Sequence, residues 1–285
     1  MPVHLLGAFY ALVAAVLYGG ADFSGGVAAR RLNQYQVILL TALTGAAVMT
    51  ILALIWQEGL PSLASIGNAV VASIFGAIGL ATLYNALAYG RASIVAPASA
   101  VVASAIPVVY AAVTQGLPGV VTFSGFILAA VGIWLTSRTG LSHEEEPAEE
   151  QAGAGLLQGV LSGLFFGGWF IFIARIEPGY IFSPFIFGKL ASAAVGLFII
   201  SIKKLPLPNP VKSPFAILAG FLDVLANVLY LVATFLTRVD IAAVLVCTYP
   251  AATVILAMLF FKEKISRSQA LGVFICVLAI ALIII

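Results

Sequence analysis

The sequence predicts an all-α integral membrane protein: ten transmembrane helices arranged as two inverted five-helix repeats around a central cavity. Three observations predict it. Apolar residues make up 62% of the 285 and charged residues only 8%, against roughly 25% charged in a soluble domain; mean hydropathy is +1.16. The apolar runs are about 20 residues long, the length a helix needs to cross a hydrocarbon core of about 30 Å. The runs also fall into two sets of five, separated by one polar segment.

Proline, glycine and charge clusters bound each run. The first five spans are 5–26, 35–56, 64–89, 93–115 and 120–138, and the second five are 153–176, 180–202, 213–237, 240–261 and 266–285. Between the sets, SRTGLSHEEEPAEEQAGAG carries five of the eleven acidic residues and no apolar period, so it reads as a flexible surface linker. The predicted organisation is a first repeat over 1–138, a linker over 139–152 and a second repeat over 153–285. The N-terminus has no basic region or small-residue cleavage site and is expected to stay as the first span. Cys247 and Cys276 fall inside spans and read as small packing residues.

The two sets repeat each other. Gly7, Ala11, Ala15 and Gly19 form a small-residue row at four-residue spacing, and Gly155, Gly159, Gly163 and Gly167 form the same row 148 residues later. IPVVYAAV and YPAATVIL align on Pro107 and Pro250, and Gly125 and Gly272 mark the starts of spans 5 and 10. Five crossings are an odd number, so the second set must enter from the opposite side. Inverted repeats sharing a midplane site can exchange conformations, which gives alternating access. The glycine rows let helix backbones approach closely in lipid.

Ten of the thirteen Lys and Arg residues stand in or beside the odd-numbered loops, which the positive-inside rule assigns to the cytoplasm, with both termini outside. Net charge is only +2, which makes no case for nucleic acid.

Asp22, Lys189 and Asp223 are ionisable residues within spans. A charge at a helix centre costs about 2.5–3.5 kcal/mol on the insertion scale, so each needs a partner, water or a change of protonation. Spans 7 and 8 are sequential and antiparallel, which permits a Lys189–Asp223 pair. That pair serves either substrate or a coupling proton, or it fixes helix register as a structural link. Asp22 is expected at the interface beside Arg30 and Arg31. Tyr18, Tyr84, Asn85, Trp169, Asn227, Tyr230 and Tyr249 add hydrogen-bonding groups and aromatic faces suited to a small organic ligand, or serve as helix contacts and interfacial anchors. Pro97, Pro107, Pro184 and Pro250 are expected to kink or open their helices.

GRASIVAPASAVVASAIPVV, the C-terminal YPAATVILAMLFFKEKISRSQALGVFICVLAIAL and the five-plus-five plan resemble the EamA-type branch of the drug/metabolite transporter superfamily, over essentially the whole chain. The C-terminal repeat carries the most specific part. KEKIS stands where members commonly show a Gly-Glu-Arg-Leu-Ser type turn, whereas the matching turn of the first half, QGLPG, lacks the acid and base. YGGADFSGGVAARR is similar to a pattern in one subgroup. The resemblance implies a basket of helices around a cavity, with the last helix pair of each repeat buttressing the fold and often mediating the contacts of a homodimer. It also implies transport of amino acids, other metabolites or drugs by exchange or with a proton.

The expected function is therefore a secondary transporter in the cytoplasmic membrane, with a small-molecule substrate and membrane lipids as partners. No phosphate loop of the G-x-x-x-x-G-K-[ST] type is present, and both histidines, His4 and His143, lie outside the centres of the spans. No cofactor, metal or catalytic residue is expected. A lipid flippase, a non-transporting receptor or an intramembrane enzyme are the alternatives.

Overall fold

The computed structural model describes residues 3–29, 31–89, 92–137, 149–261 and 266–284. Its elements are α1 (Val3–Ala29), α2 (Gln34–Ile55), α3 (Leu63–Tyr89), α4 (Ala92–Thr114), α5 (Val120–Ser137), α6 (Glu149–Ala174), α7 (Ser183–Ile202), α8 (Pro214–Leu236), α9 (Val239–Val246), α10 (Tyr249–Phe261) and α11 (Arg267–Ile284). Among the described residues every regular element is a helix. Among the described residues seven are long and apolar enough to cross a membrane, and shorter apolar helical stretches cover 98–114, 120–136 and 239–252.

Three boundaries differ from expectation for local reasons. The ninth apolar run is two helices: Cys247 and Thr248 close α9, and α10 starts at Tyr249. Pro250, at the second position of α10, has no N–H to continue the ladder from α9. Pro184 produces no kink, because it sits in the first turn of α7, where its missing N–H has no helical partner anyway. Residues 149–152, expected in the linker, are helical at the start of α6.

Terminal chemistry sets the other ends. Asn33 and Gln36 form a reciprocal capping box on α2. Trp56 and Lys203 cap the C-termini of α2 and α7, and the residues that follow, Gln57 and Lys204, both take φ 51°, the left-handed turn that commonly ends helices. Glu58 then reaches from the α2–α3 loop to the start of α7. Its carboxylate accepts from the backbone N–H groups of Ile181, Phe182 and Ser183 (2.8–3.1 Å) and from the Ser183 hydroxyl. One acid of a distant loop thus supplies a cap that α7 lacks locally.

The larger helix contacts join the first five helices to the later six, among them α1 with α8, α3 with α6, α2 with α7 and α5 with α11. Others come in matched pairs, α4 with α6 beside α1 with α10, and α3 with α7 beside α2 with α8. Neither half builds a separate core. Small residues allow this closeness. A Cβ on Gly163 would lie 2.7 Å from Val102 Cβ, and one on Gly167 would lie 2.5 Å from Ile106 Cβ, so α6 lies against α4 in parallel. Gly125 meets Ile283 and Gly272 meets Leu135 and Thr136, an antiparallel crossing of α5 and α11. Gly7 meets Thr237 and Gly25 meets Ala219, so α1 and α8 also run antiparallel. Ala8, Ala11, Ala14, Ala219, Ala226 and Ala233 are buried, while large side chains such as Leu54, Leu63 and Phe198 point outward. Small side chains inside and bulky ones outside suit a bundle whose surroundings are lipid, where close packing rather than hydrophobic exclusion holds helices together.

Several polar groups inside the bundle are paired across helices. Ser162 donates to the Gly79 carbonyl at 2.8 Å and Ser99 to Ser162 at 3.2 Å, linking α3, α4 and α6. Arg238 binds the fully buried Asp240 through Nε and a terminal nitrogen (2.8–3.3 Å) and donates to the carbonyls of Gln115 and Gly116. This fastens the α8–α9 corner to the α4–α5 loop.

Candidate functional site

Four polar side chains form one continuous chain through the bundle. Lys189 of α7 is ion-paired and hydrogen-bonded to Asp223 of α8. One turn along α8, Asn227 Nδ2 donates to the same Asp223 oxygen at 3.3 Å. The Tyr18 hydroxyl of α1 donates to Asn227 Oδ1. The i, i+4 spacing of Asp223 and Asn227 stacks them on one helical face, and the antiparallel neighbour α1 lays Tyr18 against that face.

Aromatic rings extend the chain. Tyr18 meets Trp169 of α6 edge-on, with ring centres 6.3 Å apart, and Tyr249 of α10 at 6.4 Å. Trp169 packs on Phe170 and on the fully buried Tyr230, whose hydroxyl donates to the Phe170 carbonyl at 2.9 Å. Asn227 is buried, whereas the Lys189 and Asp223 side chains keep 15% and 31% of their surface accessible. Lys189 reaches Asp223 along α2, where Gly45 leaves room for its methylenes; a Cβ there would lie 3.2 Å from Lys189 Cδ.

The structure therefore brings together six of the eight residues singled out for substrate or coupling, Lys189, Asp223, Asn227, Tyr18, Trp169 and Tyr249. The side chains of Tyr84, Asn85 and Pro97, and Gly155 among the packing glycines, lie outside the described residues, as do Arg30 and most of the linker. Gly7, Gly163 and Gly167 sit at helix contacts, and Gly19 and Gly159 are buried. Pro107 lies within α4 without interrupting it. Asp22 is exposed and lies one turn from Tyr18, at the level of α1 that the α1–α8 crossing brings beside the Asp223 turn of α8. Sequence reasoning missed the Arg238–Asp240 clasp, although an Arg two residues before an Asp at the head of an apolar run was a signal for it. It also missed the Glu58 cap, for which the only signal was an isolated acid between spans.

The chemistry is one-sided. Moved by the 148-residue repeat offset, Tyr18 and Asn227 correspond to Phe166 and Gly79, which also face each other, with a Gly79 Cβ 3.1 Å from the Phe166 ring. Asp223 corresponds to Phe75, which packs edge-on against Phe165 and Phe172. At these positions the α1–α8 crossing is polar and the α3–α6 crossing aromatic. Among the described residues no cluster of three His, Cys, Asp or Glu side chains has the arrangement of a metal site.

The comparison with known families bears on this arrangement. Residues 153–285 match the profile of the EamA-like transporter family. The second half of this chain is an EamA-like transporter family domain. An EamA-like domain on a multi-pass helical chain is consistent with a member of the drug/metabolite transporter superfamily, and it marks the protein as a multi-pass integral membrane protein. All of α6 to α11 except the first turn of α6 falls within the EamA-like match, so Trp169, Lys189, Asp223, Asn227 and Tyr249 belong to it and Tyr18 does not. A crystal structure of another protein superposes with a TM-score of 0.74 at 16% identity, covering 98% of this chain and 95% of that one. The likeness establishes a shared fold over the whole length, including the half outside the EamA-like match. No curated protein matches this sequence.

Proposed function

We propose that this protein is a secondary transporter of a small organic solute, an amino acid, another metabolite or a drug, working by alternating access in the cytoplasmic membrane. The observation that carries the reading is the Lys189–Asp223–Asn227–Tyr18 chain, which joins helices of both halves and keeps partly accessible charges within apolar spans. Charged groups at such depth are expensive and mark a path for solute or protons. The rings of Tyr18, Trp169 and Tyr249 provide flat apolar surfaces beside these charges, as small-molecule sites require.

In this reading the halves are inverted repeats around a central cavity, and transport is driven by a proton or by exchange. Reciprocal packing of α1 on α8 and α3 on α6 supports the inversion, as does the antiparallel sense of α1 against α8 and α5 against α11. Repeats related in this way can trade conformations, closing one side while opening the other.

Two measurements test it. Leu60→Cys and Val211→Cys place thiols in exposed, equivalent loops of the two halves; inversion requires an impermeant maleimide to label them from opposite sides of the membrane, and labelling from one side would refute it. In sealed proteoliposomes, a solute that raises the thermal stability of the purified protein should cross saturably and be recovered chemically unchanged; conversion of the solute, or no protein-dependent flux, would refute transport.

A further inference from the structure

A second feature lies away from the polar chain. A cleft of about 420 Å³ opens between α2, the α7–α8 loop and α8, lined by Leu39, Leu40, Leu43, Ile217, Leu207 and Pro210. Leu39 to Thr44 lie 5 to 10 residues into α2, about 8–15 Å from its start at 1.5 Å per residue. One leaflet of hydrocarbon is about 15 Å deep. The slot therefore lies within the depth that one layer of lipid tails occupies.

The loop that lines one side of the cleft carries charge. The α7–α8 loop is folded over the start of α2: Gln36 Nε2 donates to the Pro206 carbonyl at 2.6 Å, and the Lys203 ammonium lies 5.6 Å from the centre of the Tyr35 ring. Lys203, Lys204 and Lys212 on the loop and Arg31 just before α2 are exposed. Neither 31–36 nor 203–213 contains an acidic residue, so this positive edge has no counter-charge of its own.

We propose that this cleft binds an anionic phospholipid, with a tail in the slot and the phosphate headgroup on the lysines of the α7–α8 loop. A basic edge above an apolar slot complements a molecule with an anionic head and a hydrocarbon tail. A soluble anion leaves the slot unfilled, and a zwitterionic lipid leaves the lysines uncompensated. The location also gives the lipid a structural role. Thr44 of the cleft adjoins Gly45, which packs on Lys189, and Ile217 stands on the helix that carries Asp223. Just beyond the cleft, a Cβ on Gly220 would lie 2.7 Å from Thr41 O, so α2 and α8 meet there closely. The lipid fills the gap between α2, which packs on Lys189, and α8, which carries Asp223.

The test uses the full chain in mild detergent, with apparent Tm read at rising concentrations of dioleoyl phosphatidylglycerol, dioleoyl phosphatidylcholine or glycerol 3-phosphate. A ligand bound only by the folded form raises Tm in a concentration-dependent way. Phosphatidylglycerol should raise it by at least about 3 °C more than phosphatidylcholine, and glycerol 3-phosphate should leave it unchanged. The Lys203→Ala/Lys204→Ala/Lys212→Ala variant, altered only at exposed loop positions, should lose the difference between the lipids, and Leu43→Trp, which fills the slot, should reduce it. Equal shifts from both lipids, a phosphatidylglycerol preference that survives the triple substitution, or a full shift from glycerol 3-phosphate would each overturn the proposal.

Discussion

Replacing Asp223 by Asn preserves the shape of the side chain and an acceptor for Asn227, but leaves the Lys189 ammonium inside the bundle without its counter-charge. Breaking a fully buried pair from one side costs about 3–5 kcal/mol. The two side chains keep 15% and 31% accessibility, so water relieves part of that, and the expected loss is about 2–4 kcal/mol. At about 2–4 °C per kcal/mol this lowers the apparent Tm by about 4–16 °C. The Lys189→Met/Asp223→Asn double variant removes both charges together and should return to within about 1 kcal/mol of wild type. The double-mutant cycle then reports a coupling of about 2–3 kcal/mol, read by thermal unfolding in detergent. A double variant no more stable than the worse single variant would refute the reasoning, as would an Asp223→Asn protein that melts with wild type. Solute flux in proteoliposomes separates structure from transport. The stable double variant should be inactive, and wild-type flux from it would reduce the pair to a link between α7 and α8.

Tyr18→Phe removes the donor to the buried Asn227 carbonyl oxygen; it should cost about 1–2 kcal/mol and weaken the binding of any transported solute, measured by thermal shift with and without ligand. Gly167→Ala places a Cβ 2.5 Å from Ile106 Cβ on the neighbouring helix and should destabilise by about 1–3 kcal/mol, whereas Gly26→Ala, with nothing within 4 Å, should be neutral or slightly stabilising; unfolding of the two side by side checks the difference. Arg238→Met strands the fully buried Asp240 carboxylate and frees the Gln115 and Gly116 carbonyls. It should cost about 2–4 kcal/mol, with part recovered by adding Asp240→Asn, again read from apparent Tm.

Composition and period alone determined that this chain is a multi-pass helical membrane protein, because a helix that crosses hydrocarbon must be apolar over its whole length and that demand is written residue by residue. The 148-residue echo of Gly7 to Gly19 in Gly155 to Gly167 was legible for the same reason: close helix contact admits only small residues. Asp223 was legible as a partner for Lys189, since sequential antiparallel helices can lie side by side. Other features depended on which helices meet. Nothing in the local sequence says that α1 lies on α8, and that crossing alone gives Tyr18 to Asn227. The break at Cys247 and Thr248, the clasp of Arg238 on Asp240 and the capping of α7 by Glu58 belong to the same class. Local sequence fixes what a helix can tolerate on each face, whereas long-range packing decides which face meets which neighbour, and the polar chain exists only where two such faces coincide.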